Sequence, residues 1–213
     1  MSNGEILTFC SFSGPYTQVA PKVNNTTSMS VSLWNPTLPP NDTNGTYYYL
    51  GSVGLGLLPP SSGFTFTANT VLVADTSTSP TLIASPTAFN QIYQDVSYSL
   101  WVPQAPIGFV GIGLVATTAG AAAPATASYG CIRETAYLVG IAAASGGIQQ
   151  LYNNYGNPVP FQISLWSLPY SNCIVPSFGW IQPGQGGGPP YGSPPVGPLY
   201  DIDQNQLLGN TLG

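Results

Sequence analysis

The sequence predicts an all-β fold with a threefold internal repeat and a Pro/Gly-rich C-terminal extension. Three observations carry this. Ser-Leu-Trp occurs three times, at 32–34, 99–101 and 164–166, so the tryptophans stand 67 and 65 residues apart. Each copy closes a run of alternating side chains, the pattern of a half-buried strand. Glycine (25) and proline (22) punctuate the 213 residues too often for helices of ten residues or more.

Each element follows from its residues. Met29-Ser30-Val31-Ser32-Leu33-Trp34, Val96-Ser97-Tyr98-Ser99-Leu100-Trp101 and Phe161-Gln162-Ile163-Ser164-Leu165-Trp166 are the repeat strands. Pro36, Pro103 and Pro169 end them, because proline cannot donate to a ladder. An aromatic and glycine segment comes next in each copy: Tyr48-Tyr49-Leu50-Gly51, Phe109-Val110-Gly111-Ile112-Gly113 and Phe178-Gly179-Trp180. Further prolines, at Pro59, Pro124 and Pro189, lie beyond it. The repeat cores fall near 29–60, 96–124 and 161–190. The run from Ala136 to Ala144 carries Gly140 and fits a strand as well as a helix. About a dozen short strands are expected, in one all-β domain over 1–181. A Pro/Gly-rich linker and C-terminal arm over 182–213 follow, extended like polyproline through the linker, with Leu199 to Leu212 either a terminal strand folded back onto its own domain or an arm that reaches a neighbouring subunit.

Composition excludes whole classes of function. The nine charged residues, two basic and seven acidic, give a net charge of -5, and histidine is absent. Lys22 and Arg133 alone cannot form the basic footprint that nucleic acid requires. Histidine-dependent catalysis and histidine-ligated metals are excluded outright. Serine or cysteine nucleophiles need an adjacent base, and the scattered carboxylates show no spacing that singles out a catalytic pair. No Gly-rich loop lies between a strand and a helix. The expectation is a non-enzymatic protein with no cofactor and no metal. No run of eighteen apolar residues predicts a membrane-spanning helix. Met1 to Phe12 lacks the basic start and apolar run of a secretory leader, which leaves the compartment open, with surface or extracellular assembly by a non-classical route as one option.

The second copy, Tyr98-Ser99-Leu100-Trp101-Val102-Pro103-Gln104-Ala105-Pro106-Ile107-Gly108-Phe109-Val110-Gly111-Ile112-Gly113 with Pro124 and Cys131-Ile132-Arg133, resembles the vacuolar-protein-sorting-associated β-prism family. The match is best over 98–133. That family is related to the β-prism domain associated with multivesicular bodies. The resemblance implies that the all-β domain over 1–181 is β-prism-like, three sheets around a pseudo-threefold axis, which the three Ser-Leu-Trp copies support. Its basic residue after tryptophan is replaced here by Asn35, Val102 and Ser167, and its aspartate after the second glycine by Ser52 or Leu114. The acidic-membrane role of the related domain needs basic residues, so it does not carry over.

Two functions remain. The first is a structural protein that self-assembles into a homo-oligomer or filament through strand edges and the arm. Its motive is that natural sheets blunt exposed edges with lysine and other charges, which are scarce here. The assembly arm comprises Leu199, Tyr200, Ile202, Leu207 and Leu208. An odd count of three cysteines, Cys10, Cys131 and Cys173, leaves at least one free or bonded to another molecule. The second is a lectin-like module for a neutral glycan, the targeting part of a toxin for example. Its contacts are Tyr47, Tyr48, Tyr49, Tyr152 and Tyr155. Trp34, Trp101 and Trp166 are expected as core anchors of the repeat, each burying roughly 200 Å².

Overall fold

The computed structural model describes residues 7–12, 14–24, 30–37, 47–57, 70–75, 81–133, 138–141, 147–154, 162–179, 199–202 and 211–212. The fold is all-β, and among the described residues there is no α-helix, only a 3-10 turn at Thr126–Ser128. The described strands fall into three repeats, two of six strands and a third of five. The first contains β1 (Leu7–Phe12), β2 (Tyr16–Asn24), β3 (Ser30–Pro36), β4 (Tyr47–Tyr49), β5 (Val53–Leu57) and β6 (Thr70–Asp75). The second contains β7 (Ile83–Ala84), β8 (Ala88–Gln94), β9 (Tyr98–Gln104), β10 (Phe109–Val110), β11 (Val115–Thr118) and β12 (Cys131–Arg133). The third contains β13 (Leu138–Ile141), β14 (Gln149–Asn153), β15 (Gln162–Ser167), β16 (Ile174–Gly179) and β17 (Leu199–Ile202), and β18 (Thr211–Leu212) follows it.

Each repeat contributes one wall of a prism: β2-β3-β5, β8-β9-β11 and β14-β15-β16. The Ser-Leu-Trp strand is the middle one in every wall. Each repeat also contributes a second sheet: β18-β1-β6-β4, β7-β12-β10 and β13-β17. Among the described residues the strands pair antiparallel except β1 with β18, and one parallel bridge joins Tyr49 to Tyr129.

Strand alternation decides which part of the motif faces the axis. Val31 and Leu33, Tyr98 and Leu100, and Ile163 and Leu165 meet in one buried core. The tryptophans, one residue further on, face the other way. Trp166 joins a second core with Phe9, Val73, Ile132 and Ile202, built from the second sheets. Trp101 packs with Phe89, Val115 and Tyr129, while Trp34 is half-buried. The expectation that the three tryptophans anchor one threefold core is therefore corrected: the leucine of each motif does so.

The axis is closed by a ring of backbone hydrogen bonds. Ser52 N donates to Leu114 O at 2.7 Å, Leu114 N to Ile174 O at 2.9 Å, and Ile174 N to Ser52 O at 3.0 Å. Preceding these residues are Gly51, Gly113 and Cys173. A Cβ on Gly113 would lie 2.6 Å from Cys173 Cβ, so the ring has no room for a side chain at both positions. The matching step of the third repeat is thus Asn172-Cys173-Ile174. Phe178-Gly179, expected there, instead lies in β16 opposite Ile163 and Gln162, and Trp180 is outside the described residues.

Two corners of the prism are tightly made. β5 approaches β14 so closely that a Cβ on Gly56 would sit 2.5 Å from Leu151 O. Between β2–β3 and β11, Asn35 Nδ2 donates to Ala116 O at 3.1 Å, and Ala116 N donates to Ser52 Oγ at 2.8 Å. Ser52 Oγ also donates to Asn35 Oδ1. No comparable approach joins β8 to β16 among the described residues.

The boundary expected after residue 181 is also corrected. β17 pairs with β13, Leu138 opposite Ile202 and Ile141 opposite Leu199, and β18 pairs with β1. Leu199 and Tyr200 pack against the second core, and Ile202 is buried in it. The apolar side chains that suggested an arm are those that complete the third repeat. Leu207 and Leu208 lie outside the described residues.

Candidate recognition surface

The predicted tyrosines do not form one site. Tyr47, Tyr48 and Tyr49 make β4, the edge of its four-stranded sheet, and all three are half-buried. Tyr48 packs against the second core. The ring of Tyr49 lies 5.4 Å from that of Tyr129, which lies 5.3 Å from Phe89. Burial pushes the Tyr129 hydroxyl well above its ordinary pKa. Tyr152, by contrast, is fully buried in the axial core, which corrects its expected role as a glycan contact. Tyr155 lies outside the described residues. The strand β4 is what remains of the predicted contact surface.

The tryptophans differ in their polar partners. Trp34 Nε1 donates to Ser32 Oγ and Trp166 Nε1 to Ser164 Oγ, each at 2.9 Å, so the serine of the motif holds the indole two residues on. Trp101 Nε1 donates to Thr117 Oγ1 at 2.8 Å, and Ser99 Oγ is left buried without a partner.

Every acidic side chain described is engaged by backbone N–H groups. Asp75 Oδ2 accepts from Leu82 N at 2.7 Å and Ile83 N at 3.2 Å. Asp95 Oδ1 accepts from Ser97 N at 2.7 Å and Tyr98 N at 3.0 Å. Asp201, fully buried, accepts from Tyr170 N at 2.8 Å, Ser171 N at 3.2 Å and Ile202 N at 2.9 Å. Burial outweighs those donors and raises its pKa. Arg133 lies 5.2 Å over the Phe109 ring. Charged residues are few among those described: Lys22, Asp75, Asp95, Arg133 and Asp201.

Three tyrosines gather in the axial core. Tyr93 and Tyr98 have rings 5.5 Å apart, and Asn154 Nδ2 donates to Tyr93 Oη at 3.2 Å. Tyr98 Oη is buried with no partner, and Tyr152 lies close by. Burial raises Tyr93 to about 12. Cys131 and Cys173 are buried free thiols, pushed to about 11 and about 12 by desolvation. No group of three metal-ligating side chains occurs among the described residues. No described helix is long and apolar enough to cross a membrane. Val96 and Ile107 are exposed apolar side chains in the turns at opposite ends of β9.

Sequence reasoning missed Asp201 as a structural group and Tyr98 as a core residue. A signal for Tyr98 was present: it holds the place of Val31 and Ile163 in the repeat. Register gives one for Asp201, which occupies the place of the buried Leu72 and Cys131.

No family model matches the chain, and no curated protein matches it. Among solved structures, it is similar to the crystal structure of GNIP1Aa from Chromobacterium piscinae, with a TM-score of 0.63 and 17% sequence identity. That match covers 97% of this chain and 36% of the other. At this identity the likeness establishes the fold alone: an all-β unit that, in the other protein, occupies about a third of a longer chain.

Proposed function

We propose that this chain is a non-enzymatic, lectin-like recognition module for a neutral ligand such as a glycan, of the kind that serves as the targeting part of a larger toxin-like protein. The observation that carries this reading is the half-exposed tyrosine strand Tyr47–Tyr49 at a sheet edge, in a chain with few charged residues. Aromatic rings on a neutral surface suit sugar and neutral protein contacts, where desolvation of charge would oppose binding. The fold's place within a longer chain in the similar structure favours a module over a free-standing arm-driven assembler. The vacuolar-protein-sorting-associated resemblance stays a proposal on the same footing. The test is a neutral-glycan array followed by elution with free sugar, in low and high salt. Binding should survive high salt and weaken about tenfold in Tyr47→Ala, the ~1.4 kcal/mol of a single contact. Failure to bind any neutral glycan, or binding lost in salt, would overturn the reading.

Self-association into a homo-oligomer or filament is the second reading. The strand β8 favours it: its exposed residues Ala88, Asn90, Gln91 and Gln94 include no charge. Because Leu199, Tyr200 and Ile202 are folded into their own prism, this reading rests on strand edges rather than on an arm.

A further inference from the structure

We infer that the outer edge of β8 is a homotypic docking edge, which pairs antiparallel with β8 of a second copy about a twofold axis. The inference rests on the self-association reading and names its joint. Four observations lead to it. β8 is the outer strand of the sheet β11-β9-β8, so its far edge has no partner strand among the described residues. Among the described residues its corner of the prism lacks the close strand approach of the other two, the neighbouring wall reaching it through Asn154 Nδ2, which donates to Tyr93 Oη at 3.2 Å. β8 is seven residues long, and the one longer edge strand among the described residues, β2 at nine, carries Pro21 and Lys22. Its exposed side chains are Ala88, Asn90, Gln91 and Gln94, small or amide-bearing throughout.

Soluble proteins protect long edges with lysine, inward charges or proline. None of these occurs in Ala88–Gln94. The one protective feature is the register shift between Gln91 and Tyr93, which twists the end of the strand and leaves Ala88–Gln91 regular. A second copy is the fitting occupant because the edge is self-complementary. Amide side chains donate and accept equally, so Asn90 can meet its own kind across a twofold without an unpaired charge, while Gln91 Nε2 donates to Gln94 Oε1 along the same strand. Pairing would extend the three-stranded wall to six strands while leaving both cores untouched.

The experiment is light scattering coupled to size-exclusion chromatography over a range of protein concentrations. It compares the unaltered chain, the double variant Asn90→Lys with Gln91→Lys, and Ala123→Lys on an exposed loop as a charge control. The unaltered chain and Ala123→Lys should give twice the chain mass or more at high concentration. The double variant should fall to the monomer mass in low salt, with unchanged circular dichroism and melting temperature, and recover in part in high salt as the facing lysines are screened. A larger species that both variants leave intact would overturn the β8 joint and leave self-association standing. An unaltered chain that is monomeric at every concentration would overturn both.

Discussion

At the scale of single residues, the pseudo-threefold repeat supplies its own controls. The serine of Ser-Leu-Trp accepts the indole N–H in the first and third copies but not in the second, where Thr117 has taken over. Ser164→Ala should therefore cost roughly 0.5–1.5 kcal/mol, one ordinary hydrogen bond. Ser99→Ala should be neutral or stabilising, because it removes a buried hydroxyl with no partner. Chemical denaturation of the two variants checks this, and equal losses would show that the two serines are equivalent after all. Tyr98→Phe belongs to the same class. It keeps the ring against Tyr93 and removes an orphan hydroxyl, so denaturation should show no loss of stability and a gain of up to about 1 kcal/mol.

At the scale of elements, β17 shows both what the sequence made legible and what it did not. The three repeat strands and the prism walls were readable because alternation and a fixed interval are one-dimensional signals. The leading strand β7 was not, since it offers only two apolar residues with no turn signature of its own, and β13 was legible only as a run that fits a strand as well as a helix. The destination of Leu199–Ile202 was hidden for a different reason. An apolar strand after a Pro/Gly-rich stretch has the same pattern whether it docks at home or elsewhere, and only its register with β13 decides. The candidate surface was less legible still: Tyr47–Tyr49 and Tyr152 look alike in sequence, yet one group lines an edge and the other is sealed in the axial core. What helps hold β17 in place is Asp201, whose carboxylate accepts from three backbone N–H groups, those of Tyr170, Ser171 and Ile202. Asp201→Ala should destabilise the protein by roughly 3 kcal/mol, since buried donors left unpaired cost about 1–3 kcal/mol each. The amides of Leu138–Ile141 should also exchange with solvent faster than those of β9. Uniform loss of protection across all three walls would show that β17 is part of one cooperative unit rather than a separately held strand.

At the scale of the whole molecule, the shortage of surface charge is matched by a set of buried titratable groups whose pKa values all move in one direction. Tyr16 and Tyr93 are raised to about 12, Cys131 to about 11 and Cys173 to about 12, and desolvation leads in every case. In the unfolded chain these tyrosines ionise near 10 and the thiols near 9. Each group thus holds its proton more tightly when folded, and its contribution is fully present below the unfolded value and lost as pH rises through the folded one. Asp201 has the same sign lower on the scale: its raised pKa means that stability grows as pH falls through that value towards 3.8. The net charge of -5 also diminishes on acidification, so self-repulsion falls in the same direction. The melting temperature should therefore be highest on the acid side of neutrality and decline steeply above about pH 9, with little response to salt because few exposed charges exist to be screened. In the same titration, Cys131 and Cys173 should resist a thiol reagent until the protein unfolds, since both the low thiolate fraction and burial oppose attack. A melting temperature that climbs between neutral and strongly alkaline pH, or thiols at 131 and 173 that react in the native protein, would mean that the two cores are not sealed against water as the threefold packing requires.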